Sequence, residues 1–499
     1  MAVKQSGFLF SGGLNQKEAA ASSDPGGLLV AKNVEPVITG GYARALGYTK
    51  YDTNVVPGEG NILGVWVYGG KVYAFRNAVG GASAVMWESE GNGWTSKKTG
   101  LAPDGKYNFV NGTFYGSVNM YGASGTHKAF QWDGTTWTDI TTGVTVDEPD
   151  IIGYHKNYIW LGFGTSLQFS PIGDPVGVWT PLTGAGEIQM QSAITAIKSL
   201  VGGRLGVFAR NSISYLDGSS SQDFVAQNMT EHGNNSGAIG GSVQQLGQRV
   251  IIYDDRGISE VLASDRFGDF ADAALSMRFT SIVNAKRDQI TCSCVVRNKT
   301  QYRVFFSDGQ ALILGFAGES FLGGTLLQFD VPVLCVCSEE DDSGKEIILF
   351  GSNDGYVYKM EEGNSFDGGP IEAYIRTNFW DYKTPVLTKR FRRAYLDLSG
   401  SSGATDLQCK ADAVFADSTT IGQALSLDVE TTLFGGILGH DVLGEFILSS
   451  QYISNGVADL NTHGTHMSLI LHSSSINSNP WQIANVAVSY SERKLRRGR

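Results

Sequence analysis

Arg249-Val-Ile-Ile-Tyr253, followed at once by Asp254-Asp255-Arg256-Gly257, is a β-branched and aromatic run closed by a tight polar turn. Val, Ile and Tyr suit a pleated, half-buried surface, and the closing Gly accepts the positive φ that a hairpin turn demands. The same phrase recurs as Lys71-Val-Tyr-Ala-Phe75, Ser117-Val-Asn-Met-Tyr121, Asn157-Tyr-Ile-Trp-Leu161, Arg204-Leu-Gly-Val-Phe208, Gln301-Tyr-Arg-Val-Phe305 and Glu346-Ile-Ile-Leu-Phe350. Successive starts lie about 46, 40, 47, 45, 52 and 45 residues apart, the period of a four-stranded propeller blade. One blade cannot bury its own faces, so the repeat predicts a ring of stacked blades. Six or seven blades fit, because the first and last copies could share the blade that closes the ring.

Around this repeat the chain divides into four parts. Residues 1–55 read as an extended N-terminal arm with a clear turn at Asp24-Pro25-Gly26-Gly27. Residues 56–362 hold the β-propeller, with further hairpin turns at Ser307-Asp308-Gly309 and Ser352-Asn353-Asp354-Gly355. Trp94, Trp137 and Trp179 follow the first three copies by about 20 residues, where each would cap the outer part of its blade. The longest spacing is explained by Ala271–Lys286, whose apolar residues at Ala274, Leu275, Met277, Phe279, Ile282 and Val283 predict a short inserted helix. Residues 363–492 alternate as about seven strands, the rhythm of a β-sandwich, and 493–499 form a basic tail. The expected class is all-β.

Composition narrows the function. The 499 residues include 64 Gly and only 17% charged residues, which suits short strands and tight turns. The net charge of −11 argues against a general grip on nucleic acid. Five cysteines, an odd number, give no disulfide framework and fit a reducing compartment. The first ten residues lack the apolar core of a secretory signal, and no apolar run approaches the length of a membrane span.

No phosphate-binding loop, nucleophile elbow or His-Glu-x-x-His motif is present. Asp133-Gly-Thr-Thr-Trp137 is a near miss to the sialidase Asp-box and reads better as a hairpin turn with a capping Trp. Cys292-Ser-Cys294 and Cys335-Val-Cys337 sit about one blade apart, and each pair would present both thiols on one strand face. Structural zinc usually uses two-residue spacers, so these read as small apolar residues of crowded inner strands. His463-Gly-Thr-His466 lies at a strand entry, and His466 and His472 would share a polar face with Ser468, which reads as a solvated strand face rather than a metal site. No catalytic residue, cofactor or metal is expected, and the chain reads as a non-enzyme.

Two basic clusters stand out against the acidic chain: Lys389, Arg390, Arg392 and Arg393, and the terminal Arg493, Lys494, Arg496 and Arg497. Docking onto an acidic neighbouring subunit is favoured over a solvated face, and both over DNA, because a few cations on a net-negative protein hold phosphate weakly at physiological salt.

Three segments resemble the tail nozzle proteins of short-tailed bacteriophages (tail tubular protein B) and related virion proteins that stabilise packaged DNA. They are Gly12-Gly13-Leu14-Asn15 with Lys32-Asn33-Val34 and Gly41–Tyr48; Gly203–Tyr215 and Arg249–Ile258 through Tyr302–Phe306; and Ile375–Phe379 through Lys389–Arg393. The resemblance implies a propeller-containing structural virion protein, a homo-hexameric ring below a dodecameric adaptor ring. Such a ring would continue the DNA channel, touch genomic DNA transiently and close the channel until ejection. It would meet tail fibres or spikes, sit in the virion tail after assembly in the host bacterial cytoplasm, and touch no membrane. The alternative is a receptor-binding or carbohydrate-binding tail protein, since adhesins are also β-rich, glycine-rich and acidic.

Overall fold

The computed structural model describes residues 3–17, 25–114, 116–200, 202–228, 237–263, 270–341, 343–400, 407–414, 427–428, 452–474 and 480–492. Seven four-stranded antiparallel units succeed one another along the chain, and the fold is a β-propeller. Blades 1 to 5 are self-contained sheets whose inner strands are Glu59–Tyr68, Asn108–Phe114, Ile151–His155, Ile194–Leu200 and Gln244–Leu246. Blade 6 begins with Ile290–Val296 and blade 7 with Cys335–Glu340. Each of the seven repeated phrases falls on the second strand of its blade, beside the inner one. That strand has a neighbour on both sides and a blade on both faces, so nearly every side chain in it is buried, as in Arg249–Tyr253 and Gln301–Phe306. This is why the repeat reads as short continuous apolar runs rather than a strict alternation.

The first and last copies occupy different sheets, so the ring has seven blades. Its closing strand comes from the leader. Tyr48–Lys50 pairs antiparallel with Val357–Met360 as the fourth strand of blade 7. Tyr48 is buried among Phe329, Phe350, Tyr358 and Phe366, stacking on the last at 5.0 Å. Blade 7 then packs on blade 1 through a cluster joining Cys337, Leu349 and Val357 to Val56, Ile62, Val65 and Val67.

The leader is therefore not a free arm. Lys4–Leu9 pairs with Trp481–Glu492, and Val34–Pro36 with Tyr42–Arg44 adds to the same sheet. Leu28–Lys32 pairs antiparallel with Ala373–Thr377 on one side and meets the outer strand of blade 6 in parallel at Leu326 on the other. That single strand fuses a propeller blade and a C-terminal sheet into one nine-stranded sheet. Close approach explains the leader glycines: Gly13 has φ +66°, and a Cβ there would lie 2.4 Å from the Gly324 nitrogen.

Beyond the propeller, Lys389–Gly400, Tyr452–Gly464 and Trp481–Glu492 form one sheet, and Ala373–Thr377, Gln408–Val414 and His466–Ser473 belong to the other. Leu396, Val488 and Trp481 of the first share a buried cluster with Leu469, Ala411 and Ile375 of the second. Two expectations need correction. The inserted helix spans only Thr280–Lys286, because Phe270–Ala274 is taken by strand pairing as the fourth strand of blade 5. The face carrying His466, Ser468 and His472 is only partly solvated: both histidines are half-exposed, while Ser468 between them is wholly buried and donates to the Thr377 carbonyl at 2.6 Å.

Candidate functional site

The seven inner strands surround an axial cavity of about 620 Å³. Strands of seven residues, such as Ile194–Leu200 and Ile290–Val296, are roughly 23 Å long at about 3.3 Å per residue. Spread over that length, the cavity averages less than about 10 Å across, narrower than the major groove of duplex DNA alone at about 12 Å. A duplex does not pass through this propeller.

Its lining is mostly neutral. Lys106, Lys198 and Arg297 supply the positive charge and Glu339 the one carboxylate among the lining residues. Lys106 precedes the inner strand of blade 2 and reaches across the ring, donating from Nζ to the Thr291 carbonyl of blade 6 at 2.7 Å. It therefore lies over the end of the cavity where the inner strands begin. At the other end, Arg297 is held by Glu340 at 2.7 Å and Glu346 at 3.5 Å. Burial raises the Glu339 carboxyl above its ordinary value; Arg297 opposes that rise and Glu340 reinforces it. Lys198, on the inner strand of blade 4, has its ammonium pulled below the ordinary lysine value by burial. Sequence reasoning missed both lysines. The available signal was position: each inner strand immediately precedes a repeated phrase, which puts Lys198 on an inner strand and Lys106 just before one.

The cysteine pairs lie on adjacent inner strands of blades 6 and 7. Burial pushes all four thiols well above the ordinary cysteine value, the reverse of what a reactive or metal-binding thiol needs. Among the described residues, no group of three or more His, Cys, Asp or Glu side chains could hold a metal ion. Asp133 serves its own turn, accepting from the backbone N–H of Thr135 at 2.8 Å and Thr136 at 2.6 Å.

The internal basic cluster is split by the fold. Lys389 is buried, and its Nζ donates to the carbonyls of Thr384, Leu387 and Thr465 at 2.6, 3.1 and 3.0 Å. It ties a loop to the sheet and is not available to a neighbour. Arg390, Arg392 and Arg393 are exposed. A register shift between Phe391 and Arg393 breaks the alternation, so two consecutive arginines face solvent. Arg393 pairs with Asp459 at 2.7 Å. Arg493, Lys494, Arg496 and Arg497 lie outside the described residues.

No family model matches the chain, and no curated protein matches its sequence. Among solved structures it is similar to a streptogramin B lyase, with a TM-score of 0.44 and 11% identity over 63% of this chain and 97% of the other. Virginiamycin B lyase from Staphylococcus aureus gives 0.42 and 12% over 61% and 95%. The WD40 domain of Neurospora crassa Pan2 gives 0.41 and 10% over 64% and 95%. At these identities the likeness concerns fold alone.

Proposed function

We propose that this chain is a structural virion subunit, the tail nozzle protein of a short-tailed phage, acting as a homo-hexameric ring that continues the DNA channel below an adaptor ring and retains the genome until release. The observation that carries this reading is the weave of the leader, which pairs with blade 7, blade 6 and both C-terminal sheets. A subunit that holds a genome and passes force to its neighbours has no use for a hinge between domains, and this threading removes one. The segments that carry the family resemblance include these stitches: Lys32-Asn33-Val34, Gly41–Tyr48 and Ile375–Phe379.

The narrow axial cavity refines the reading. DNA would run between subunits, along the axis of the hexamer, and not through any one propeller. Net negative charge would help the duplex slide there. Glycoside hydrolysis ordinarily needs two carboxylates flanking one bond, and the cavity lining supplies Glu339 alone. Arg390, Arg392 and Arg393 would dock an acidic surface of the next subunit.

Electron microscopy of the purified protein, alone and with the adaptor, tests this. Sixfold rings with a pore wide enough for a duplex are expected. A stable monomer or trimer that binds host glycans would replace this reading with the receptor-binding one.

A further inference from the structure

Among the described residues, Lys198 has no carboxylate paired with it. It stands fifth of seven in the inner strand of blade 4, which is bulged between Ile194 and Ala196. Beyond the bulge, Ile197 packs toward Gly153 of blade 3, and Ser199 meets His155 of the same blade at 3.3 Å. Alternation turns Ala196, Lys198 and Leu200 the other way, and Ala196 and Leu200 do join the cluster holding Val243 and Val250 of blade 5. Lys198 thus shares a strand face with two apolar residues, yet it lines the axial cavity. It makes no hydrogen bond, ion pair or ring contact with any described residue.

Lys198 is half-buried at the cavity wall, and its partly desolvated ammonium gains from an anion that the described residues do not supply. An apolar side chain would satisfy the packing, so the ammonium is the feature to explain. Of the other lining cations, Arg297 is occupied by Glu340 and Glu346. Lys106 offers a neutral carbonyl only one of its three hydrogens. Within a chain of net charge −11, the cavity is a local positive site. Its volume is that of a small-molecule pocket, and Lys106 screens one end.

We propose that the axial cavity binds a small oxyanion, a phosphate or a carboxylate group, with Lys198 as its charge partner. The site is independent of any assembly role of the protein.

Isothermal titration of the full-length protein with inorganic phosphate, with succinate, and with chloride at matched ionic strength tests the proposal. Saturable binding of phosphate or of succinate, but not of chloride, is expected, and the arm that binds identifies the ligand class. Lys198→Met should weaken that binding about tenfold or more, as loss of a charge-assisted hydrogen bond does. Lys128→Met, on the exposed surface, should leave it unchanged. Absence of saturable binding in both arms, or binding retained in Lys198→Met, overturns the proposal. Should Lys198→Met fail to fold, wild-type protein soaked with selenate decides instead. Anomalous density beside Lys198 Nζ supports the site, and density elsewhere or none rejects it.

Discussion

Arg303 carries the most consequential side chain in the junction between leader and propeller. It is buried on the second strand of blade 6, and its guanidinium meets Glu35 of the leader at 2.9 Å and Glu361 beyond blade 7 at 2.5 Å. Lys299 bridges the same two carboxylates. Burial alone would raise the Glu361 carboxyl, but the charges of Arg303 and Lys299 outweigh it and hold it well below the usual glutamate value. A depressed folded-state pKa contributes stability that is present above the unfolded value near 4.5 and is lost as pH falls through the lower folded one. Acid denaturation should therefore show a component below about pH 4.5 that Glu361→Gln removes. Arg303→Met should cost roughly 3–5 kcal/mol, because it leaves two buried carboxylates with one lysine between them. Adding Glu35→Gln and Glu361→Gln should restore much of that loss in chemical denaturation. Lys389→Met is expected to cost roughly 2–4 kcal/mol by orphaning three carbonyls, and a loss under 0.5 kcal/mol would refute its structural role.

The strands supplied by the leader are elements whose partners lie hundreds of residues away. Removing residues 1–55 takes the fourth strand from blade 7 and the bridging strand from the nine-stranded sheet. The truncated chain should fail to fold cooperatively, as read by circular dichroism and thermal melting. A detachable arm would instead leave the melting transition intact and abolish only assembly. Tyr48→Ala is the milder form of this test. It should cost about 3–5 kcal/mol, the usual loss for a large aromatic removed from a packed core. Gly47→Ala should be worse than its size suggests, because the added Cβ would sit 1.9 Å from the Ser365 carbonyl oxygen.

For the molecule as a whole, the expectation is a ring of identical subunits held partly by charge. Arg390→Glu, Arg392→Glu and Arg393→Glu together should lower the hexamer fraction in mass photometry and leave the monomer's melting temperature nearly unchanged. Exposed residues away from packed features change stability little. Raising the salt should weaken the wild-type assembly in the same direction. Assembly indifferent to both changes would assign these arginines to a merely solvated surface.

What could be read along the chain was what local chemistry writes: seven phrases like Arg249–Tyr253, their hairpin turns, and hence blades. Blades 1 to 6 are contiguous meanders, and so are the first three strands of blade 7, so propensity, turn residues and alternation act there within about 40 residues. The buried fate of Lys389 was not legible, because it depends on carbonyls of two different loops meeting one ammonium. Nor was the destination of the leader, since Lys32 meets Leu326, and Tyr48 completes blade 7, only through contacts without any local signature. Lys198 sits in Thr195-Ala-Ile-Lys-Ser199, an ordinary-looking strand; closing seven blades into a ring is what turned it toward an enclosed axis. Pattern along a strand records which side chains want burial. Where a distant strand docks, and which charge the ring encloses, follow from long-range packing that no short stretch encodes.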